Sequence, residues 1–180
     1  MSELVRLFVQ LALFKKGPQD VPYSLFLLIA LFVTAFCLEL ITHLIPGLKR
    51  EEVEFLVYLR YLVVSNIIFV IVIYLLFKLH GHSKRFVQSL TAMLGIDLLI
   101  SIIFLPINLI IVFAGDNQIP LLVGLMALLY MVLFFWYLFI YLHIFRHGLS
   151  VSPVIAGMLS LGIFLLGISL NNLLLPAAAS

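Results

Sequence analysis

Two acidic residues stand inside long apolar runs, Glu39 and Asp97, and their carboxyl groups have the clearest capacity for chemistry in this chain. An ionisable group at membrane depth is costly unless partnered, so each is a functional candidate. Ser101 follows Asp97 by one helical turn, and Asn108 lies three turns on along the same face. Asp97, Ser101 and Asn108 therefore form a polar stripe. In a simple antiparallel arrangement, Asn66 on the preceding run sits at the depth of Asp97. Pro106 interrupts the stripe and frees a backbone carbonyl near Ile102. One reading is a proton- or cation-handling site. The other, which is the expectation, is an inward polar seam with Asp97 hydrogen-bonded to Asn66.

Glu39 falls in the first run and Arg60 in the second, equally far from the turn between them. A packed hairpin brings them to one depth, where an ion pair removes most of the penalty of either charge alone. The expectation is a structural clamp, with transport as its rival. His43 is one turn from Glu39 and can join the pair.

A basic rim is expected at one membrane surface. Lys78, Lys84, Arg85 and Arg146 fall there with His80, His82, His143 and His147. His143 and His147 are spaced to chelate a metal, but no carboxylate accompanies them. The rim is expected to meet anionic lipid headgroups, and neither a metal nor a cofactor is expected. There is no G-x-S-x-G, no pair of intramembrane aspartates, and no nucleophile with a histidine at matching depth. The chain is thus expected to be non-enzymatic.

The elements that position these residues follow from composition. Hydrophobic residues make up 65% of the chain, charged residues 10%, and mean hydropathy is +1.30. Soluble domains are nearer half apolar and a quarter charged, so lipid is the required solvent. Five runs suit the roughly 20 residues that cross a bilayer core: Pro22–Pro46, Phe55–Leu79, Phe86–Ala114, Pro120–Phe145 and Val154–Leu175. They are continuous rather than alternating, which predicts helices and not a barrel. The net charge of +2 is too small to imply nucleic acid. Cys37 is the only cysteine, so no disulfide forms within the chain and no cysteine cluster holds a metal.

Residues 1–16 read as an interfacial amphipathic helix, with Glu3, Arg6 and Gln10 as a narrow polar stripe. Residues 17–180 form one five-helix transmembrane domain. The elbow Gly17–Ser24 joins the two, and Pro22 is suited to the first turn of the next helix with Asp20 near its positive end. Counting Lys and Arg on either side of the membrane favours a cytoplasmic N-terminus and an external C-terminus.

In the fourth run, Tyr130, Tyr137 and Tyr141 share a face and are expected to point at the polar seam. In the fifth, Gly157, Ser160, Gly167 and Asn171 share a face of mostly small residues. Such faces let helices approach closely, so this one packs within the bundle or against a partner protein or second copy.

Five spans in this orientation resemble the Yip superfamily of small membrane proteins. The elbow GPQDVPYS, Gly17–Ser24, resembles a segment of small bacterial Yip-like proteins. The resemblance implies an inner-membrane, non-enzymatic bundle acting through other membrane proteins or lipids. The tyrosine- and glycine-containing motif of the eukaryotic members is absent, and no functional residues carry over. The expected function is a non-catalytic accessory or scaffold protein. The alternative is a small carrier or channel using the Asp97 seam.

Overall fold

The computed structural model describes residues 2–45 and 54–175. Residues 46–53, which carry Lys49, Arg50, Glu51 and Glu52, lie outside the described residues, as does the tail 176–180. Among the described residues the chain is all-α. The helices are α1 (Ser2–Ala12), α2 (Leu25–Leu44), α3 (Phe55–Leu79), α4 (Phe86–Asp116), α5 (Pro120–Leu149) and α6 (Pro153–Leu174). The five from α2 to α6 are long and apolar enough to cross a membrane. Phe26, Leu79 and Leu121 stand out from the bundle at 84%, 81% and 75% exposure. A surface this apolar is stable against lipid chains rather than water, and the chain is an integral membrane bundle.

Local chemistry sets the helix ends. Ser24 caps α2 by accepting the Leu27 N–H at 3.2 Å, so α2 starts at Leu25 and not at Pro22. A serine side chain satisfies an orphan helix N–H, whereas proline only removes one. Asp20 is not at the start of α2 either; it closes a 3₁₀ turn, accepting the Gly17 N–H at 2.8 Å. α1, α3 and α4 stop with paired backbone bonds that put the next residue in the left-handed region. Gly81 does so at φ +72°, but Phe14 (+60°) and Gln118 (+54°) lack the freedom of glycine. For Phe14 this costs roughly 1–2 kcal/mol. Its ring meets His143 edge-on at 5.5 Å, and His143 Nε2 donates to the Lys16 carbonyl at 2.9 Å.

α4 and α5 form the centre, with α2 and α1 packed on α4, α6 on α5, and α3 against α6 and α4. Ile73, Phe77, Met93, Ile96, Ile140, Ile144 and Phe145 make the core between them. α4 has 31 residues and α5 has 30, or about 45 Å each at 1.5 Å per residue. Both exceed a hydrocarbon core of about 30 Å, so their ends project, and α1 and the elbow pack near one such end. Phe8, Leu11 and Ala12, spaced as one helical stripe, are buried there. Phe8 fills the space left by Gly95 of α4. Trp136 Nε1 of α5 donates to the Ala12 carbonyl at 3.1 Å, and Gln88 Nε2 of α4 donates to the Val21 carbonyl at 2.9 Å. Val5 and Leu13 face outward at 60% and 50% exposure. The N-terminal helix thus has a bundle-facing stripe as well as an outer apolar one.

The core is also tight at Gly148 of α5. A Cβ there would lie 2.8 Å from Ser89 Oγ and 2.9 Å from Phe77 Cζ. Gly148→Ala should lower stability by about 1–3 kcal/mol, seen as a lower thermal midpoint in detergent. Gly162→Ala has nothing within 4 Å and should gain up to about 1 kcal/mol in helix propensity. Equal midpoints for the two would mean that the contact between α3, α4 and α5 is looser than described.

Candidate functional site

Asp97 lies near the middle of α4, and two tyrosines of α5 reach it. Tyr137 donates to Oδ1 at 2.9 Å, and Tyr141 donates to Oδ1 at 2.8 Å and Oδ2 at 3.0 Å. Tyr137 and Tyr141 are one turn apart on α5, which is why both hydroxyls converge on a single carboxyl. Tyr130 does not join them. It stacks on Phe104 at 4.5 Å between ring centroids and is 39% exposed.

Asp97 faces a groove of about 670 Å³ walled by α3, α5 and α6, with Glu39 of α2 at its side. Asn66 and Ser65 of α3, Ser101 of α4, and Asn171 of α6 supply the polar wall. Glu39, Tyr58 and Asn171 lie within two turns of the ends of α2, α3 and α6. The groove therefore runs from that end of the bundle down to mid-helix at Asp97. Its aromatic lining includes Tyr61, Phe69, Phe104 and Phe164. Among the described lining residues there is no lysine, arginine or histidine. Volumes of this size, with a few convergent polar groups, are typical of small-ligand sites.

The polar seam expected around Asp97 is thus present in part. Asp97, Asn66 and Ser101 share the groove, but Asn66 Nδ2 donates to the Leu62 carbonyl at 2.9 Å and not to Asp97. Asn108 lies further along α4 and does not line the groove. The reason is partner choice: α4 turns the Asp97 face toward α5 as well as α3, and phenols reach farther than an asparagine amide.

The Glu39–Arg60 ion pair is not formed among the described residues. Arg60 and Glu39 are both exposed, and Glu39 lines the groove with Asn66 whereas Arg60 does not. α2 packs along α4 and α3 along α6 and α4, so the two helices do not zip into a hairpin. They meet near their ends, where the rings of His43 and Tyr58 stack at 3.8 Å.

The small-residue face of α6 turns inward. Ser160 is buried and donates to the Leu138 carbonyl of α5 at 2.9 Å. A Cβ on Gly157 would meet Leu142 at 3.4 Å. Gly167 and Asn171 line the groove. Gly157 and Ser160 of this face thus pack against α5, while Gly167 and Asn171 border the open groove.

Lys78, Lys84, Arg85 and Arg146 are all exposed at one end of the bundle. Arg85 Nη1 donates to Ser150 Oγ at 2.9 Å, which ties the start of α4 to the end of α5. Arg146 and His143 close a second, shallower trough of about 470 Å³ lined by Phe14, Phe135, Trp136 and Phe139. His143 and His147 have ring centroids 4.4 Å apart, and among the described residues no third metal-binding side chain joins them. Of the expected inward groups, Asp97, Ser101, Tyr137 and Tyr141 come together and Tyr130 does not. Glu39, Gly167 and Asn171 as groove residues do not show until α2 and α6 are placed around α3 and α4. No family model matches the chain, and no curated protein or solved structure does.

Proposed function

We propose that this chain is a small carrier or channel that takes its ligand in the groove above Asp97. The supporting observation is the Asp97 carboxyl, fixed by two tyrosine hydroxyls at the floor of an aromatic- and amide-lined groove inside a membrane bundle. Desolvating a carboxylate is costly, and a purely structural carboxyl needs no open volume beside it. The rival reading, an accessory protein that assembles with another membrane protein, drew on the small-residue face of α6, of which Gly157 and Ser160 pack on α5 and Gly167 and Asn171 border the groove. On the lysine and arginine count, the N-terminus lies in the cytoplasm, the membrane is the bacterial inner membrane that the Yip-like resemblance implies, and the Glu39 end of the groove opens outside. The exposed basic rim contacts anionic lipid, with Arg146 at the head of an apolar trough that suits an acyl chain.

The reading requires water and solute to reach Ser101. In a Cys37→Ser background, Ser101→Cys in sealed vesicles should react with a small membrane-impermeant thiosulfonate reagent. An unreactive cysteine on both faces of the membrane, in a protein that remains folded, would overturn it.

A further inference from the structure

We infer that the groove recognises organic cations, such as primary amines and quaternary ammonium groups, with Asp97 as the anionic anchor and Glu39 as a second carboxylate nearer the mouth. This rests on the carrier or channel reading and adds the chemical class of the ligand.

Charge comes first. The groove holds two carboxyl groups and, among its described lining residues, no basic side chain. Arg60 is exposed, does not line the groove, and forms no ion pair among the described residues. Three hydrogen-bond contacts from Tyr137 and Tyr141 point at Asp97. They satisfy an acceptor but supply no positive charge. A carboxyl in a membrane bundle with no basic neighbour among the described residues either takes up a proton or is complemented by a cation from outside, and an open groove gives such a cation access.

Shape and wall chemistry then select among cations. Inorganic cations want several converging oxygen ligands in a small cage. This groove is about 670 Å³, and much of its wall is aromatic, including Tyr61, Phe104 and Phe164. Faces of that kind attract alkylammonium groups through the ring quadrupole, which is how aromatic cages recognise quaternary ammonium ligands. The polar groups of Asn66 and Ser101 beside Asp97 leave room for a hydrogen-bonding amine as well.

The test uses two thiosulfonate reagents on Ser101→Cys in the Cys37→Ser background, one bearing trimethylammonium and one bearing sulfonate. Rates are normalised to each reagent's rate with a free thiol. The cationic reagent should react at least about tenfold faster, since a charged cleft concentrates counter-ions by about that factor or more. Glu39→Gln and Asp97→Asn should each shrink the ratio. Tetraethylammonium chloride should protect the cysteine at concentrations where potassium and magnesium chloride, matched for ionic strength, do not.

Equal normalised rates would overturn the cation assignment and leave the groove reading intact. Protection by potassium or magnesium equal to that by tetraethylammonium, or no protection by any of them, would overturn recognition of organic cations. No reaction with either reagent would overturn both readings together. Ser65→Cys, on the opposite wall, serves as a second position if Ser101→Cys disturbs the fold, and the same outcomes decide.

Discussion

Gly95→Leu is expected to release the N-terminal helix from the bundle while the five spans remain in the membrane. A Cβ at Gly95 overlaps the Phe8 ring, and Phe8 is only 6% exposed. α4 cannot yield there, because Ala92, Met93 and Ile96 are fully buried around the site. The ring must leave, and Leu11 and Ala12 leave with it. Losing a buried phenylalanine contact is worth roughly 3–5 kcal/mol, more than an 11-residue helix recovers through its own backbone bonds. Trp136 is the single tryptophan of the chain and its indole N–H is bonded to the Ala12 carbonyl. Undocking should therefore change the intrinsic fluorescence and expose the elbow to protease. Adding Phe8→Ala to Gly95→Leu should restore part of the packing by exchanging the large and small partners. Gly162→Leu, in open space, should leave both signals unchanged. If Gly95→Leu gives native fluorescence and protection, α1 is not held by this contact.

The second large effect is at Asp97. Asp97→Leu leaves the hydroxyls of Tyr137 and Tyr141 without their acceptor, and Tyr141 is only 4% exposed. An unsatisfied buried polar group costs about 1–3 kcal/mol, so the single change should lower stability by about 2–5 kcal/mol. The triple variant Asp97→Leu, Tyr137→Phe, Tyr141→Phe removes both sides of each bond and should recover most of that loss. Asp97→Asn keeps a carbonyl acceptor and should fall between. Thermal unfolding in detergent reads all three. The triple variant also separates fold from function: near-native stability with a reduced preference for the cationic thiol reagent is the expected pair of results. A triple variant no more stable than Asp97→Leu alone would mean that the tyrosines do not depend on this carboxyl.

The connections illustrate why reading depth from sequence works only part of the way. Equal distance from the turn puts Glu39 and Arg60 at one depth. A loop of n residues limits only how far apart its ends lie, up to about 3.5 Å per residue, and says nothing about which helix packs along which. The segment joining α2 and α3 leaves room for α2 to choose α4, and α2 does so. Glu39 then faces a different neighbour than the one its depth suggested. The same holds for Asp97, whose bonding partners come from α5, the next helix after its own, rather than from α3.

What the amino-acid sequence by itself determined is the lipid setting, the five spans within a few residues, the elbow, and the identity of the polar groups that such a setting makes costly. These follow from transfer free energy and chain geometry, which act residue by residue. What only the tertiary structure decided is which helix pairs with which. Because lipid offers no hydrophobic drive between helices, association is settled by close packing and polar contacts: Gly95 receiving Phe8, Ser160 bonding to α5, and two phenols converging on Asp97. Those few contacts dock α1 on α4, hold α6 and α4 against α5, and leave a groove carrying two carboxyl groups and, among its described lining residues, no basic side chain.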